Sequence, residues 1–383
     1  SFGLQTVAGA YSVLATNTTT SCTNAMSGST TVVVNPLPNA YSTYGGGSYC
    51  AGGSGLAVGL SSSQTGISYQ LYNTGTATGA AVSGTGSSIS FGLQTAAGTY
   101  SIVATNTSTG CQNVMFGSSA VVVNPLPAVQ SVTGGGNYCA GGSGVIVGLT
   151  SSETGINYTT YNGASAYSTV GGVGSAIDFG YVYAAGTYTV LATNVMTGCT
   201  SAMSGSATVG INAVPSAFAV TGGGSYCSGG SGVAVGLASS SSSATYTLYN
   251  GTTAIGSPVS GTGSAISFGN QTAAGTYTVR ATSTANGCTS GMTGSATVSV
   301  NAAPTTFTVS GGGAYCAGST GANISLSGSS TGVTYQLFVG STPVGGPVSG
   351  TGSTLALGTY TTIGTYSAVA TVTLTGCTGN MAG

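Results

Sequence analysis

The chain is built from an internal repeat, and cysteines mark its period most clearly. Two sets of cysteines recur at steps of 88 or 89 residues. The first set lies in copies of "GGGSYCAGG" and consists of Cys50, Cys139, Cys227 and Cys316. The second set consists of Cys22, Cys111, Cys199, Cys288 and Cys377. A period of this length is the size of a whole domain, so the sequence predicts a tandem array of similar domains.

Short proline-containing segments separate the repeats. "NPLP" ends at Pro38 and at Pro127, and "NAVP" and "NAAP" take the same place later in the chain. The predicted domains are 39–127, 128–215 and 216–304, with the C-terminal part of a repeat at 1–38 and a repeat lacking its last strand at 305–383. Because the opening "SFGLQT" matches Ser90–Thr95 inside a repeat, we expect the chain to be part of a much longer protein.

Each repeat alternates apolar and polar residues over short segments, a pattern typical of half-buried strands. In "GTYSIVATN", Tyr100, Ile102 and Ala104 are predicted to point inward, and no segment keeps a helical period. Six or seven such strands in about 89 residues indicate an immunoglobulin-like (Ig-like) β-sandwich, so the predicted fold class is all-β. Strands are predicted at Gly55–Leu60, Ile67–Asn73, Ser88–Gly92, Gly98–Asn106 and Ser118–Val123.

Two positions on the "GTYSIVATN" strand refine this prediction. Tyr100 lies where Ig-like domains place a tyrosine corner, a buried tyrosine whose hydroxyl bonds to a nearby carbonyl. The same position is occupied by Tyr11, Tyr188 and Tyr277. Arg280 takes an outward position on this strand, and we expect it to face solvent because an inward charge would be costly.

The cysteines suggest disulfides rather than metal or catalytic sites. Two cysteines per repeat in fixed register are typical of a disulfide framework in an oxidising compartment. With one bond expected per domain, the predicted pairs are Cys50–Cys111, Cys139–Cys199, Cys227–Cys288 and Cys316–Cys377, and the partner of Cys22 would lie upstream of the chain. Pairing of Cys22 with Cys50, across a repeat boundary, is the second possibility.

Ionisable side chains are nearly absent. The chain has one basic residue, Arg280, two acidic ones, Glu153 and Asp178, and no histidine, whereas soluble domains carry roughly 25% charged residues. We therefore expect no enzyme activity, no catalytic residues, no metal site and no cofactor. The glycine runs lack the lysine of a phosphate-binding loop. No basic patch favours nucleic acid, and no apolar stretch reaches the roughly 18 residues of a transmembrane segment.

The low charge also bears on partners. With a formal net charge of −1, copies of the chain repel one another little, so we expect self-association into a filament or bundle. The candidate surface-contact residues share one outward position of the repeat and are Tyr72, Tyr161, Tyr249 and Phe338. Two interpretations stay open for them: contact with glycans or other surfaces, or coverage of a sheet face or a neighbouring chain.

The repeat resembles a known family. "VTGGGSYCSGGSGVAVGL", "AGTYTVRATSTANGCTSGMTGSATVSVNAAP" and their copies resemble the tandem Ig-like repeats of giant surface adhesins of Bacteroidota. Many of those are exported by type IX secretion, and some resemble gliding-motility adhesins. The resemblance covers essentially the whole chain and implies an extracellular or cell-surface rod, stalk or filament with a structural or adhesive role. The alternative is that the repeats bind glycans directly, with surface polysaccharide as the partner.

Overall fold

The computed structural model describes residues 1–383 and contains strands but no helix. It divides into two compact units, one made of Ser1–Gly136 and Gly144–Gly210 and the other of Asn137–Ser143 and Ile211–Gly383. Since each unit joins several repeats, the repeat boundaries stay predictions. The all-β fold class is confirmed by the strands themselves.

Strands recur at equivalent positions along the chain. Residues 1–38 hold β1 (Gly9–Tyr11), β2 (Leu14–Thr16), β3 (Thr23–Ala25) and β4 (Thr30–Val32). Repeat 39–127 holds β5 (Thr43–Gly45), β6 (Gly47–Cys50), β7 (Leu56–Leu60), β8 (Ile67–Asn73), β9 (Thr76–Ser83), β10 (Ile89–Gln94), β11 (Gly98–Asn106), β12 (Gln112–Val114) and β13 (Ser119–Asn124). Repeat 128–215 holds β14 (Val132–Gly134), β15 (Gly136–Cys139), β16 (Val145–Leu149), β17 (Ile156–Asn162), β18 (Ser165–Gly171), β19 (Ile177–Val182), β20 (Gly186–Asn194), β21 (Thr200–Ala202) and β22 (Ala207–Asn212).

The later repeats follow the same order. Repeat 216–304 holds β23 (Val220–Gly222), β24 (Gly224–Cys227), β25 (Val233–Leu237), β26 (Ala244–Asn250), β27 (Thr253–Ser260), β28 (Ile266–Gln271), β29 (Gly275–Ser283), β30 (Thr289–Gly291) and β31 (Ala296–Asn301). Residues 305–383 hold β32 (Val309–Gly311), β33 (Ala322–Leu326), β34 (Val333–Val339), β35 (Thr342–Ser349), β36 (Leu355–Tyr360), β37 (Tyr366–Val372) and β38 (Thr378–Asn380).

Two sheets form each complete sandwich, as repeat 39–127 illustrates. One sheet has the order β10-β7-β5, and the other has the order β6-β13-β11-β8-β9, with β12 also paired to β11. All pairs are antiparallel except β6 with β13, which run parallel. The N-terminal segment thus pairs first with one sheet, through β5, and then with the other, through β6. This strand order is that of an Ig-like sandwich.

The core of this sandwich is apolar and contains two tyrosines. Val58, Leu60 and Ile102 are fully buried, together with Tyr69 on β8 and Tyr100 on β11. Antibody-type domains place a tryptophan and a disulfide in this region of the core. Here tyrosine and aliphatic side chains fill that space, and the cysteines lie outside this core cluster.

The predicted tyrosine corner is confirmed. The buried Tyr100 hydroxyl donates to the Ala96 carbonyl over 2.8 Å, four residues upstream. Burial raises the pKa of this hydroxyl above its usual value of 10.0, so it stays protonated and able to donate. The same bond forms in every repeat, from Tyr11 to Val7, Tyr188 to Ala184, Tyr277 to Ala273 and Tyr366 to Thr362.

Candidate functional site: the cysteine network

The first cysteine of a repeat ends a strand that borders the outgoing linker. Cys50 closes β6 and lies opposite Asn124, the last residue of β13. The Ala51 N–H donates to the Asn124 carbonyl over 2.9 Å, and the Tyr49 hydroxyl donates to the Thr95 carbonyl. These bonds hold Cys50 at the end of the sandwich from which the chain leaves through its proline-containing linker.

Glycines let the segment before this cysteine cross from one sheet to the other. In repeat 216–304, Gly222 and Gly223 both have positive φ, at 89° and 80°. A Cβ on Gly222 would lie 2.0 Å from the Ala234 carbonyl oxygen, and one on Gly223 would lie 2.7 Å from that of Thr297. The "GGG" motif is therefore structural, because only glycine fits this backbone and these close approaches.

The second cysteine lies in the turn at the other end of the sandwich. Asn106 shapes the turn: its Oδ1 accepts from the amides of Ser108 and Thr109 over 3.0 and 3.1 Å. Its own N–H donates to the Cys111 carbonyl over 2.9 Å. The Cys111 Sγ lies 3.9 Å from the carbonyl oxygen of Asn35, in the incoming linker. The second cysteine therefore marks the end at which the chain arrives.

The predicted pairing inside one repeat is corrected by this geometry. Gly98, the first residue of β11, pairs with Val121, which lies three residues before the end of β13. From Gly98, β11 continues for eight residues in the direction away from that end of β13. At about 3.3 Å per residue, the two cysteines of one sandwich are roughly 35 Å apart. Bonded cysteines need Cα atoms within about 7 Å. The pairs Cys50–Cys111, Cys139–Cys199, Cys227–Cys288 and Cys316–Cys377 therefore do not form.

Each disulfide instead joins the first cysteine of one repeat to the second cysteine of the next. The bonds are Cys50–Cys199, Cys139–Cys288 and Cys227–Cys377, with Cα–Cα distances of 5.5, 5.6 and 5.5 Å. The second cysteines become buried, with Cys199, Cys288 and Cys377 at 0%, 1% and 0% exposure. The outgoing end of one repeat is thereby fastened to the incoming end of the next. The alternative pair Cys22–Cys50 is also corrected, since Cys50 is bonded to Cys199.

Three cysteines stay free. Cys22 and Cys111 are second cysteines, and Cys316 is a first cysteine. Within residues 1–383, no cysteine occupies the position that the observed spacing of 149 or 150 residues would pair with any of the three.

The charged side chains form no reactive group. A Glu153 carboxylate oxygen accepts from the Ala128 N–H over 3.2 Å, and an Asp178 carboxylate oxygen accepts from the Gly180 N–H over 3.1 Å. Arg280 is exposed on β29, as predicted. No cluster of three or more histidine, cysteine, aspartate or glutamate side chains is placed to hold a metal ion. There is also no helix with the length and apolarity that crossing a bilayer takes.

The candidate surface-contact aromatics occupy one equivalent position per repeat. They are half-buried on β8, β17, β26 and β34, as Tyr72, Tyr161, Tyr249 and Phe338. Tyr72 lies opposite Ser101 on one neighbouring strand and Ala77 on the other. The side chain thus belongs to the outer face of the larger sheet, and its role in binding stays a prediction.

Comparison with known proteins returns structures of Ig domains. No family model matches the chain, and neither does any curated protein. Among solved structures, Sidekick-1 immunoglobulin domains 1–4 is 12% identical, with a TM-score of 0.25 over 91% of this chain and 96% of that one. Murine CEACAM1b is 14% identical, with a TM-score of 0.25 over 43% and 96%. The Ig-like fold is defined by the order and register of the strands.

The chain is therefore a tandem array of Ig-like β-sandwiches that disulfides join from repeat to repeat. Strand order defines the class, and the bonds Cys50–Cys199, Cys139–Cys288 and Cys227–Cys377 distinguish this array from one with a separate disulfide in each domain.

Proposed function

We propose that this chain is a structural segment of an extracellular repeat protein that forms a rod, stalk or filament on the cell surface, with an adhesive role. The observation that carries the proposal is the disulfide network, which fastens each sandwich to the next. Such bonds serve mechanical continuity rather than chemistry, and disulfides persist in oxidising compartments outside the cytosol.

Immunogold labelling of intact cells that make the protein tests the location. An antibody against repeat 216–304 should label surface fibres without permeabilisation. The matched control is an antibody against a cytosolic protein of the same cells, which should label only after permeabilisation. Label from the repeat antibody that appears only in permeabilised cells would contradict the proposal.

The resemblance to Bacteroidota surface repeats supports a further proposal, that the parent protein is a gliding-motility-like adhesin exported by type IX secretion. A strain lacking that secretion system should retain the protein inside the cell. Unchanged surface labelling in that strain would refute export by type IX secretion but would not contradict the structural function.

Self-association is proposed from the near absence of charge. With a formal net charge of −1, assembly should depend weakly on ionic strength, because few charges are available to screen. Sedimentation velocity at about 0.01 M and about 1 M salt, where the Debye length falls from roughly 30 to 3 Å, measures this. Assembly that dissociates steeply with salt would contradict a neutral interface.

The alternative is direct binding of surface polysaccharide through the outer-face aromatics. Its support is their equivalent, half-buried placement, which would present one ring per repeat at a regular interval along the chain. Replacing all four residues with alanine should abolish binding to a polysaccharide array. The control variant Tyr181→Ala, which changes an exposed tyrosine at another position, should bind normally. Equal binding by both variants would refute the aromatic site.

A further inference from the structure

The three disulfides close loops that overlap along the chain. Cys139 lies inside the loop closed by Cys50 and Cys199, and Cys227 lies inside the loop closed by Cys139 and Cys288. Every peptide bond between Cys50 and Cys377 is consequently spanned by at least one disulfide. One cut anywhere in this region leaves the molecule covalently continuous.

The overlap also creates short covalent routes through the molecule. The shortest route from Cys50 to Cys377 crosses a disulfide to Cys199, follows the backbone for 28 residues to Cys227, and crosses a second disulfide. A second route interleaves with it. It runs from Cys111 through 28 residues to Cys139, crosses to Cys288 and continues through 28 residues to Cys316.

We propose that the first route acts as a tension-bearing cable that caps the extension of the protein even when sandwiches unfold, and that the second route holds the chain together if a link of the first is cut. From Cys50 to Cys377 the backbone alone would reach roughly 1,100 Å at about 3.4 Å per residue. The disulfide route is capped at roughly 110 Å, since it holds 28 residues and two bonds. The routes are a property of the chain itself, whereas their use under load rests on the proposed structural function.

The backbone link between the two disulfides of the first route has little slack to release. From Cys199 to Cys227 it contains β21, β22, β23 and β24, which are already extended strands. The segments that carry the load are thus these strands beside the linker, and the bypassed segments are β7–β20 and β25–β37.

Cleavage in a linker tests the routes directly. Trypsin has one site in the chain, Arg280, so Arg280→Gln combined with Ser216→Arg moves that site to an exposed linker position. Only Cys139–Cys288 spans residue 216. After cleavage, a denaturing gel without reductant should show one full-length species, and a gel with reductant should show two fragments. Two fragments without reductant would overturn the proposal, because pairing inside each repeat predicts that result.

The matched variant adds Cys139→Ser to the same background. It removes the one bond across the linker, so cleavage should now give two fragments without reductant. A single species in this variant would also overturn the proposal, since it would mean that another bond spans the linker.

Single-molecule pulling on the full chain tests the limit on extension. The reduced protein should extend roughly 1,000 Å further than the oxidised one, because 299 residues are released from bypassed loops. Cys199→Ser opens the first route and leaves a route of 89 residues to Cys139, a disulfide, 61 residues from Cys288 back to Cys227 and a second disulfide, so it should extend roughly 400 Å further than the oxidised parent. Cys139→Ser leaves the first route intact and should stop at the parental limit. Equal extension of the oxidised and reduced proteins would overturn the proposal.

The experiments distinguish a wrong disulfide-route proposal from a wrong proposed function. If the antibody labels the cell surface but the fragments separate on the non-reducing gel after linker cleavage, the structural function stands and the proposed disulfide routes are wrong. If the fragments stay joined without reductant but the antibody labels only permeabilised cells, the disulfide routes stand and the proposed surface function is wrong.

Discussion

The same motif takes two forms in the second unit. In repeat 216–304, Gly224–Cys227 forms β24, parallel to β31, and Cys227 is bonded to Cys377. In repeat 305–383, the equivalent "GGGAYC" forms no strand after Gly311, and Cys316 is exposed and free. The tyrosine anchor nevertheless persists, since the Tyr315 hydroxyl donates to the Thr361 carbonyl. The comparison shows that the anchor is local, whereas the strand needs a neighbour.

That neighbour is the last strand of the repeat. β31 pairs with β24 (Gly224–Cys227) along one edge and with the start of β29 along the other. Residues 305–383 include no strand equivalent to β31, and a groove of about 230 Å³ is bordered there by Gly312, Gly364 and Tyr366. The conformation of the cysteine segment is thus imposed by tertiary pairing rather than by its own sequence.

The largest difference between the two repeats concerns thiol reactivity. In the chain of residues 1–383, under denaturing conditions without reductant, iodoacetamide should alkylate Cys316 completely and leave Cys227 unmodified, because only the free thiol reacts. Mass spectrometry of peptides measures both sites. Cys22 and Cys111 should react like Cys316. Alkylation of Cys227 would refute its disulfide and with it the comparison.

Hydrogen exchange should separate the two segments next. The Ser228 N–H donates to the Asn301 carbonyl over 2.8 Å, whereas β31 has no counterpart beside the equivalent Ala317. The Ser228 amide should therefore exchange on the order of 100-fold more slowly than the Ala317 amide. Equal exchange rates would mean that the cysteine segment of repeat 216–304 opens as readily as an unpaired one.

A glycine pair tests whether β31 causes the difference. Gly223 and Gly312 share a φ of 80°, but a Cβ on Gly223 would lie 2.7 Å from the Thr297 carbonyl oxygen. A Cβ on Gly312 would meet only the Ile324 side chain, at 3.9 Å. Gly223→Ala should therefore lower the free energy of unfolding by about 1–3 kcal/mol more than Gly312→Ala. Thermal and denaturant unfolding of both variants measures this.

The preceding glycines supply the control for that pair. A Cβ on either Gly222 or Gly311 would lie 2.0 Å from a backbone carbonyl oxygen of the neighbouring strand, which is present in both repeats. Gly222→Ala and Gly311→Ala should therefore destabilise their repeats to a similar extent. A difference as large as that between Gly223→Ala and Gly312→Ala would show that β31 is not its cause.

The smallest expected effect concerns the tyrosine corner. Tyr277 is 1% exposed and Tyr366 is half-buried, yet both hydroxyls donate to a carbonyl four residues upstream. Tyr277→Phe should cost about 1 kcal/mol of unfolding free energy, and Tyr366→Phe less, because water can replace the exposed bond. Denaturant unfolding distinguishes them. A larger loss for Tyr366→Phe would contradict the view that repeat 305–383 is the more open one.

Local patterns predicted much of the fold. Ile67–Asn73 and Gly98–Asn106 were predicted with the bounds that the structure has, because their inward residues alternate strictly. β9 was missed because "TATGAAVS" carries little apolar contrast, and β6 was missed because its partner, β13, lies far away in sequence.

The disulfide pairing could not be predicted from the same patterns. Spacing placed two cysteines in each repeat but was silent on which end of the sandwich each occupies. That information lies in the parallel register of Cys50 with Asn124 and in the turn that follows β11. Both depend on the three-dimensional order of strands, which a residue count does not contain.

The wide spacing of bonded cysteines also sets the order in which the molecule must mature. Cys50 cannot meet Cys199 until 149 further residues have been made, so its thiol has to wait through the synthesis of the next repeat. In an unfolded chain, closing a 28-residue loop is about 1.5 kcal/mol less costly than closing one of 149 residues, which favours wrong local pairs. Folding of each sandwich must therefore precede oxidation, because only the folded domain keeps neighbouring thiols apart.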